Sequence, residues 1–183
     1  MTVWFRRYVE KEQNMDFLDL VNKRFSVRAY DSKPVSDDTI NTILEAARLA
    51  PTAANRQPLH LIVLHKGEKR PAMNGVYLRD WFRHAPVVIV VCAEPAKAWV
   101  RGDGKNYGDV DAAIMMDHIT LCAADIGLGT CWIAAFDAAK VRAILDLPAG
   151  IEPVALTPLG FPAEAARAKI RKTLSELVHR EKW

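Results

Sequence analysis

Residues 111–136 read DAAIMMDHITLCAADIGLGTCWIAAF, and this stretch decides the fold. It contains most of a helix that we predict over residues 109–126, with apolar side chains on nearly every side. Gly127 and Gly129 end that helix, and residues 130–134 then have the composition of a strand. A helix that is apolar nearly all round is buried, so we expect it to be covered on several sides.

Helices and strands are mixed along the rest of the chain. Ser36 is the expected N-cap of a helix that Pro51 ends, and Asp137 is the expected N-cap of a short helix before Pro148. The predicted strands are Leu59–His65, Val87–Ala93 and residues 154–159. Such a mixture indicates one α/β or α+β domain.

The composition is that of a globular protein. The chain has 183 residues, of which 50% are hydrophobic and 26% are charged, so it can bury a core. A net charge of +3 is too small to indicate nucleic-acid binding. The apolar run Val87–Ala93 is much shorter than the roughly 20 residues of a membrane-spanning helix, so we predict no membrane association. Three cysteines without a CxxC pair predict free thiols and a cytoplasmic location.

Residues 1–14 precede the first amphipathic pattern, and we predict that they form an N-terminal extension to one domain over residues 15–183. Their apolar patch covers only residues 3–5 and acidic residues follow soon after, which is unlike a secretory signal peptide. The extension is either a docking arm or a consequence of start-codon choice, with Met15 as the true first residue.

Several common catalytic motifs do not occur in the sequence. No GxGxxG leads from a strand into a helix, and neither GxSxG nor HExxH is present. His118 and Cys122 are four residues apart on one helical face, but a structural metal site needs four ligands and no others are evident. We therefore predict an ordinary buried helix there and no metal site.

The segment RFSVR at residues 24–28 is the first candidate binding motif. If it is extended, Arg24, Ser26 and Arg28 lie on one side, where two guanidinium groups beside a hydroxyl can bind phosphate. The alternative is a solvated helix end with surface arginines.

The C-terminal tail is the second candidate. Residues 167–183 include six basic residues and two acidic ones. Lys169 and Arg171 alternate, as in an extended segment that reaches one ligand. A solvated basic strip is the alternative.

Two further segments have features of a binding site. The loop APTAANRQP at residues 50–58 combines small residues with the amides of Asn55 and Gln57, which suit the edge of a flat heterocycle. Trp132, just after the two glycines, can cover a planar ligand. An ordinary polar connection and a core tryptophan are the respective alternatives.

Taken together, these segments resemble the nitroreductase family of FMN flavoproteins in its compact form. The resemblance covers roughly residues 15–183. It depends on RFSVR, APTAANRQP, LHLIVL, the stretch 111–136, PVALTPLGFP at residues 153–162 and RKTLSELV in the tail. It implies an α+β sandwich with a central, mostly antiparallel sheet flanked by helices. It also implies a homodimer with FMN at the interface, and the apolar helix over residues 109–126 independently favours pairing of two copies.

The resemblance also implies a role for each candidate residue. Arg24, Ser26 and Arg28 would hold the phosphate and ribityl chain or the pyrimidine end of the flavin, and Lys169 and Arg171 would return to the phosphate. Asn55 and Gln57 would come from the partner subunit, and Trp132, Ile133 and Ala134 would pass beside the isoalloxazine ring. Phe25 belongs to the same predicted site, although many members have a polar or basic residue there, and Leu59 replaces a common Trp.

The implied activity is hydride transfer from NAD(P)H, with electrons passed to a nitroaromatic, a quinone or a similar flat acceptor by a ping-pong mechanism. No side chain is predicted to be catalytic, because the flavin supplies the chemistry. Arg28 is the candidate for electrostatic stabilisation of the reduced flavin. The alternatives are a specialised flavin reaction on the same fold (dehalogenation, dehydrogenation or flavin destruction) and a flavin-binding protein without turnover.

Overall fold

A four-stranded antiparallel sheet forms the centre of the computed structural model, which describes residues 16–183. The strands are β1 (Leu59–His65), β2 (Val87–Ala93), β3 (Gly129–Thr130) and β4 (Glu152–Gly160). Their order across the sheet is β1-β2-β4-β3. Because β2 lies between β1 and β4, every one of its residues is buried, which explains its unbroken apolar sequence.

Helices and one 3₁₀ turn complete the described part of the chain. The helices are α1 (Phe17–Lys23), α2 (Asp37–Arg48), α3 (Lys69–Met73), α4 (Asp80–His84), α5 (Gly108–Asp125), α6 (Ala138–Ile144) and α7 (Leu174–Leu177), and the 3₁₀ turn is Ala53–Asn55. The predicted N-caps are confirmed: Ser36 Oγ accepts from the N–H of Thr39 at 3.3 Å, and Asp137 Oδ1 accepts from the N–H of Lys140 at 3.0 Å.

The sheet has a hydrophobic core on each face. Ile89 on β2 belongs to the core formed with α2 and α5, whereas its neighbour Val90 belongs to the core formed with α3, α4 and α6. This alternation follows from the two-residue period of a strand. The structure therefore confirms the expected α+β architecture, with helices on both faces of an antiparallel sheet.

The strand predicted over residues 130–134 is wrong in extent. Regular pairing covers Gly129–Thr130, and an isolated bridge then joins Ile133 to Leu156. Between them, the N–H of Cys131 turns to the hydroxyl of Thr157 at 3.3 Å, which interrupts the backbone ladder.

The long apolar helix is present as α5, with its ends shifted by one residue from the prediction. Met116 and Ile119 are fully buried, but Ile114 and Leu121 on the other side are only partly buried within the described chain. One chain therefore covers one face of this helix better than the other.

The predicted N-terminal extension, residues 1–14, lies outside the described residues, so the boundary of the single domain at residue 15 stays a prediction. Within residues 16–183, no helix is both long enough and apolar enough to span a membrane.

Candidate functional site

The segment RFSVR lies beside the C-terminal side of β3. Ser26 forms a parallel bridge with Thr130, and the N–H of Val27 donates to the carbonyl of Thr130 at 2.8 Å. Val27 is buried, whereas Arg28 on the next position is exposed. The segment is therefore extended, and alternation directs Arg24, Ser26 and Arg28 away from the core.

A cavity of about 350 Å³ opens between this segment and the C-terminal tail. Its lining consists of Arg24, Phe25, Ser26, Arg28, Glu164, Arg167, Ala168, Lys169, Ile170 and Arg171. Five of these residues are cationic and one is anionic. The structure thus brings together two basic segments that are more than 130 residues apart in sequence, and the hydrogen bond from the backbone N–H of Arg28 to the carboxylate of Glu164 joins them directly.

Lys169 closes the cavity against α1. Its Nζ donates to the carbonyl of Val21 and, at 2.6 Å, to the carbonyl of Asn22, both near the C-terminus of that helix. Cations are favoured at this end of a helix dipole. Desolvation lowers the pKa of Lys169, and the nearby charges of Arg24 and Arg171 lower it further. An anion in the cavity would offset this mutual repulsion.

Glu164 is a residue of the cavity that the sequence reasoning did not select. Its carboxylate accepts a hydrogen bond from the backbone N–H of Arg28 and lies 3.8 Å from the guanidinium of Arg167. Glu164 therefore binds the backbone N–H of Arg28, and its negative charge partly neutralises the cationic side chains of the cavity. The one feature of the sequence that could have indicated Glu164 as a site residue is its position as a single acid just before the basic tail.

The residues after β3 alternate between the core and the surface. Cys131 is buried, and burial raises the pKa of its thiol, while Arg28 and a hydrogen bond with Ser26 lower it. Trp132 is 42% exposed, and Ala134 is also exposed. Ile133 differs, since its side chain is buried and both its backbone groups pair with Leu156 at 2.9 Å. Among the three predicted residues, only Trp132 and Ala134 therefore present side chains at the surface.

Asn55 and Gln57 form a hydrogen-bonded pair of amides. Nε2 of Gln57 donates to Oδ1 of Asn55 at 3.0 Å, and both side chains are exposed. Both residues have positive φ angles, of 53° and 50°, which cost L-residues about 1–3 kcal/mol each. A structure that retains this cost usually has a functional reason for it.

The amide pair does not line the cationic cavity of its own chain. The loop lies instead beside a second cavity, of about 570 Å³, which is lined by Arg56 and residues 96–100. Within one chain, the structure thus keeps the amide pair apart from the residues of the cationic cavity, and residues 132–134 line neither cavity.

Metal binding has no support in the described part of the chain. Among residues 16–183, no group of three or more His, Cys, Asp and Glu side chains is placed to hold an ion. Cys122 contacts the carbonyl of Thr42, with its Sγ 3.9 Å from that oxygen, and burial raises the pKa of its thiol to about 11.

Solved structures share this architecture. A nitroreductase family protein from Clostridium difficile 630 superposes with a TM-score of 0.86 at 33% identity, covering 92% of this chain and all of the other. An FMN-dependent nitroreductase from Clostridium difficile R20291 superposes with a TM-score of 0.77 at 25% identity, covering 91% of this chain and all of the other.

Sequence comparison gives the same result. A relative from Methanothermobacter thermautotrophicus, described as a putative NADH dehydrogenase/NAD(P)H nitroreductase, is 30% identical over 94% of this chain and 91% of its own length. An NADPH-dependent oxidoreductase from Staphylococcus aureus is 30% identical over 90% of this chain and 73% of its own length.

The antiparallel sheet flanked by helices defines an α+β protein, and the relatives of this sequence identify it as an enzyme of the oxidoreductase class. The model of the Nitroreductase family matches residues 21–79 and 72–161, which is most of the chain. The chain belongs to the nitroreductase family.

Proposed function

We propose that the protein is an FMN-dependent oxidoreductase that takes a hydride from NAD(P)H and passes electrons to a nitroaromatic, a quinone or a similar flat acceptor. The observation that carries this proposal is the cavity between RFSVR and the tail, where five cationic side chains converge. The FMN-dependent solved structure that shares the fold supports the choice of cofactor.

The donor set of the cavity fits a phosphate group. Guanidinium and ammonium groups only donate hydrogen bonds, and paired guanidinium nitrogens match the geometry of phosphate oxygens. Arg24 and Arg171 would bind the phosphate of FMN, with Ser26 and Lys169 as further donors. Phe25 lies in the same lining and would contact the apolar part of the cofactor.

The flavin ring would lie against the exposed side chains of Trp132 and Ala134, while Ile133 supports them from the core. These residues follow Thr130, which bridges to Ser26 of the cavity. The amides of Asn55 and Gln57 would reach the ring from a second copy of the chain. The separation of the amide pair from the cationic cavity within one chain favours this shared arrangement.

Bound FMN supplies hydride and electron transfer, for which no acidic or basic side chain is required. The chain contributes binding, orientation and charge. The exposed guanidinium of Arg28 would place positive charge near the pyrimidine end of the ring, where negative charge develops on reduction. Donor and acceptor would use the same open face in turn, so we expect ping-pong kinetics.

A homodimer is part of this proposal. The described tail exposes Ile170 by 91% and Leu174 by 78%, and α1 exposes Phe17 by 64%. Apolar side chains exposed together in this way are typical of an interface. The partly buried face of α5 with Ile114 and Leu121 would be covered by the same partner.

A visible absorption spectrum of the purified protein tests the function. We expect a flavin spectrum that NADPH or NADH bleaches in the absence of oxygen and that a nitroarene or quinone restores. A protein that is colourless and does not bind added FMN contradicts the proposal. A flavin that neither nicotinamide reduces would instead indicate a binding protein without this turnover.

A further inference from the structure

The loop that carries Asn55 and Gln57 is attached to the buried start of α5. The N–H of Ala53 donates to Oδ1 of Asp111 at 2.8 Å. Asp111 is in the first turn of α5 and is only 1% exposed. Acidic side chains are seldom buried to this degree because removing a carboxylate from water is unfavourable. The helix N-terminus offsets part of this cost.

The loop has a shape that its own sequence does not favour. Ala54, Asn55 and Gln57 all have positive φ angles, of 49°, 53° and 50°. Asparagine tolerates the left-handed region, but Ala54 and Gln57 adopt it against their intrinsic preference. Such residues persist only where surrounding contacts hold them.

Local hydrogen bonds close the loop on itself. The N–H of Gln57 donates to Oγ1 of Thr52 at 3.0 Å, and the N–H of Asn55 donates to the carbonyl of Thr52 at 2.9 Å. These bonds define the shape of the loop but do not fix its position relative to α5. The bond from Ala53 to Asp111 provides that link.

The second carboxylate oxygen of Asp111 has a cost for folding, so a contribution to stability does not by itself explain why an aspartate occupies this position. Oδ2 is buried and has no hydrogen-bond partner within residues 16–183. An unsatisfied buried acceptor is unfavourable, and native structures contain few of them. An apolar residue at this position would avoid that cost but would leave Ala53 without an acceptor.

We propose that Asp111 is a positioning residue of the cofactor site, which holds the strained loop so that Asn55 and Gln57 are presented to the flavin of the partner subunit. The use of the two amides rests on the proposed function. The effect of Asp111 on the loop itself is measurable without cofactor.

Amide hydrogen exchange of the protein without FMN is the first test. We expect Asp111→Ala to accelerate exchange in residues 53–57 by about tenfold or more, because a hydrogen bond to a charged acceptor is lost. Exchange in β2 should remain slow. Thr120→Ala is the matched control, since Thr120 is also buried on α5 and bonds only within that helix. Unchanged exchange in the loop of Asp111→Ala overturns the proposal.

FMN affinity is the second test, measured by titration of flavin fluorescence. We expect Asp111→Ala to weaken binding about tenfold, and Asp111→Asn to remain within about threefold of wild type because its amide oxygen still accepts from Ala53. The effects of Asp111→Ala and Asn55→Ala should not multiply in the double variant, since both act through the same loop. If the loss of affinity in the double variant equals the product of the two single losses, the residues act independently and the proposal is overturned.

If Asp111→Ala does not fold, Ala53→Pro removes the same hydrogen bond from the donor side. Thr52 is extended and Ala53 begins the 3₁₀ turn, so a proline is sterically suited to this position. The same two readouts then decide the proposal. Wild-type protein that binds no FMN contradicts the proposed function, whereas unaltered loop exchange in the variant contradicts the role of Asp111.

Discussion

Gly129 leaves no room for a side chain against Val27. A Cβ at position 129 would lie 2.5 Å from Cγ2 and 2.9 Å from Cβ of Val27. This close approach places the segment RFSVR against β3, so that Val27 is buried while Arg24, Ser26 and Arg28 face the cavity. The glycine after α5 thus positions residues that precede it by more than a hundred places in the sequence.

We therefore predict that Gly129→Ala separates RFSVR from β3. The clash should lower the free energy of unfolding by about 1–3 kcal/mol and weaken FMN binding at the same time. Urea denaturation and flavin titration measure the two effects. Gly67→Ala is the control, because nothing lies within 4 Å of the added Cβ there. Equal stability of the two variants would contradict the packing argument.

Arg24→Ala should weaken FMN binding about 10- to 150-fold, since a hydrogen bond to a charged group contributes about 1.5–3 kcal/mol. Isothermal titration of the apoprotein with FMN measures this change. Arg48→Ala is the control, because it also removes one positive charge, but from an exposed residue of α2 that pairs with Glu45. We expect this variant to bind FMN as the wild type does. If both variants bind FMN as wild type does, Arg24 is not a phosphate ligand.

A mixed dimer tests whether each site includes two subunits. A protomer with Arg24→Ala, paired with a protomer with Asn55→Ala, should have one intact site and one doubly damaged site. Differently tagged subunits allow this species to be purified, and FMN content then gives the number of intact sites. Two singly damaged sites, one without Arg24 and the other without Asn55, would show that the amide pair acts within its own chain.

Glu164→Gln should strengthen anion binding. The carboxylate accepts from the N–H of Arg28 and reduces the net positive charge of the cavity. Removing its charge should increase the affinity for FMN and for inorganic phosphate a few-fold, with the larger effect at low salt. Glu152→Gln, at the exposed start of β4, is the comparison variant. Weaker phosphate binding in Glu164→Gln would mean that the carboxylate orders the cavity instead of opposing the anion.

We predict that the buried thiol of Cys92 makes the free energy of unfolding fall in alkaline solution. Burial raises the pKa of its thiol from the ordinary 9.0 to about 11. The folded protein therefore retains this proton to higher pH than the unfolded chain does. Its contribution is fully present below about pH 9, and the free energy of unfolding falls as the pH rises towards 11. Urea denaturation between these pH values should show a smaller fall in Cys92→Ala. If the free energy of unfolding falls equally with pH in both proteins, groups other than Cys92 cause the loss of stability.

Local sequence rules predicted most elements near the sheet. The side-chain periods of α2 and α5, the caps at Ser36 and Asp137 and the unbroken apolar run of β2 each depend on neighbouring residues, and the structure confirms them. The short helices α3 and α4 were not predicted, because five residues are too few to establish a helical period.

The sequence by itself determined which chemistry the chain carries. Two guanidinium groups four residues apart in RFSVR, amides in a small-residue loop and glycines after an apolar helix are local patterns. Each residue type has its donors and charge wherever it lies. Only the tertiary structure decided which of these groups meet. Arg28 and Glu164 are brought together by strand pairing and by the tight contact at Gly129, and Asp111 reaches Ala53 because α5 packs beneath the loop. Contacts between distant segments depend on packing of the whole core, which no local pattern encodes.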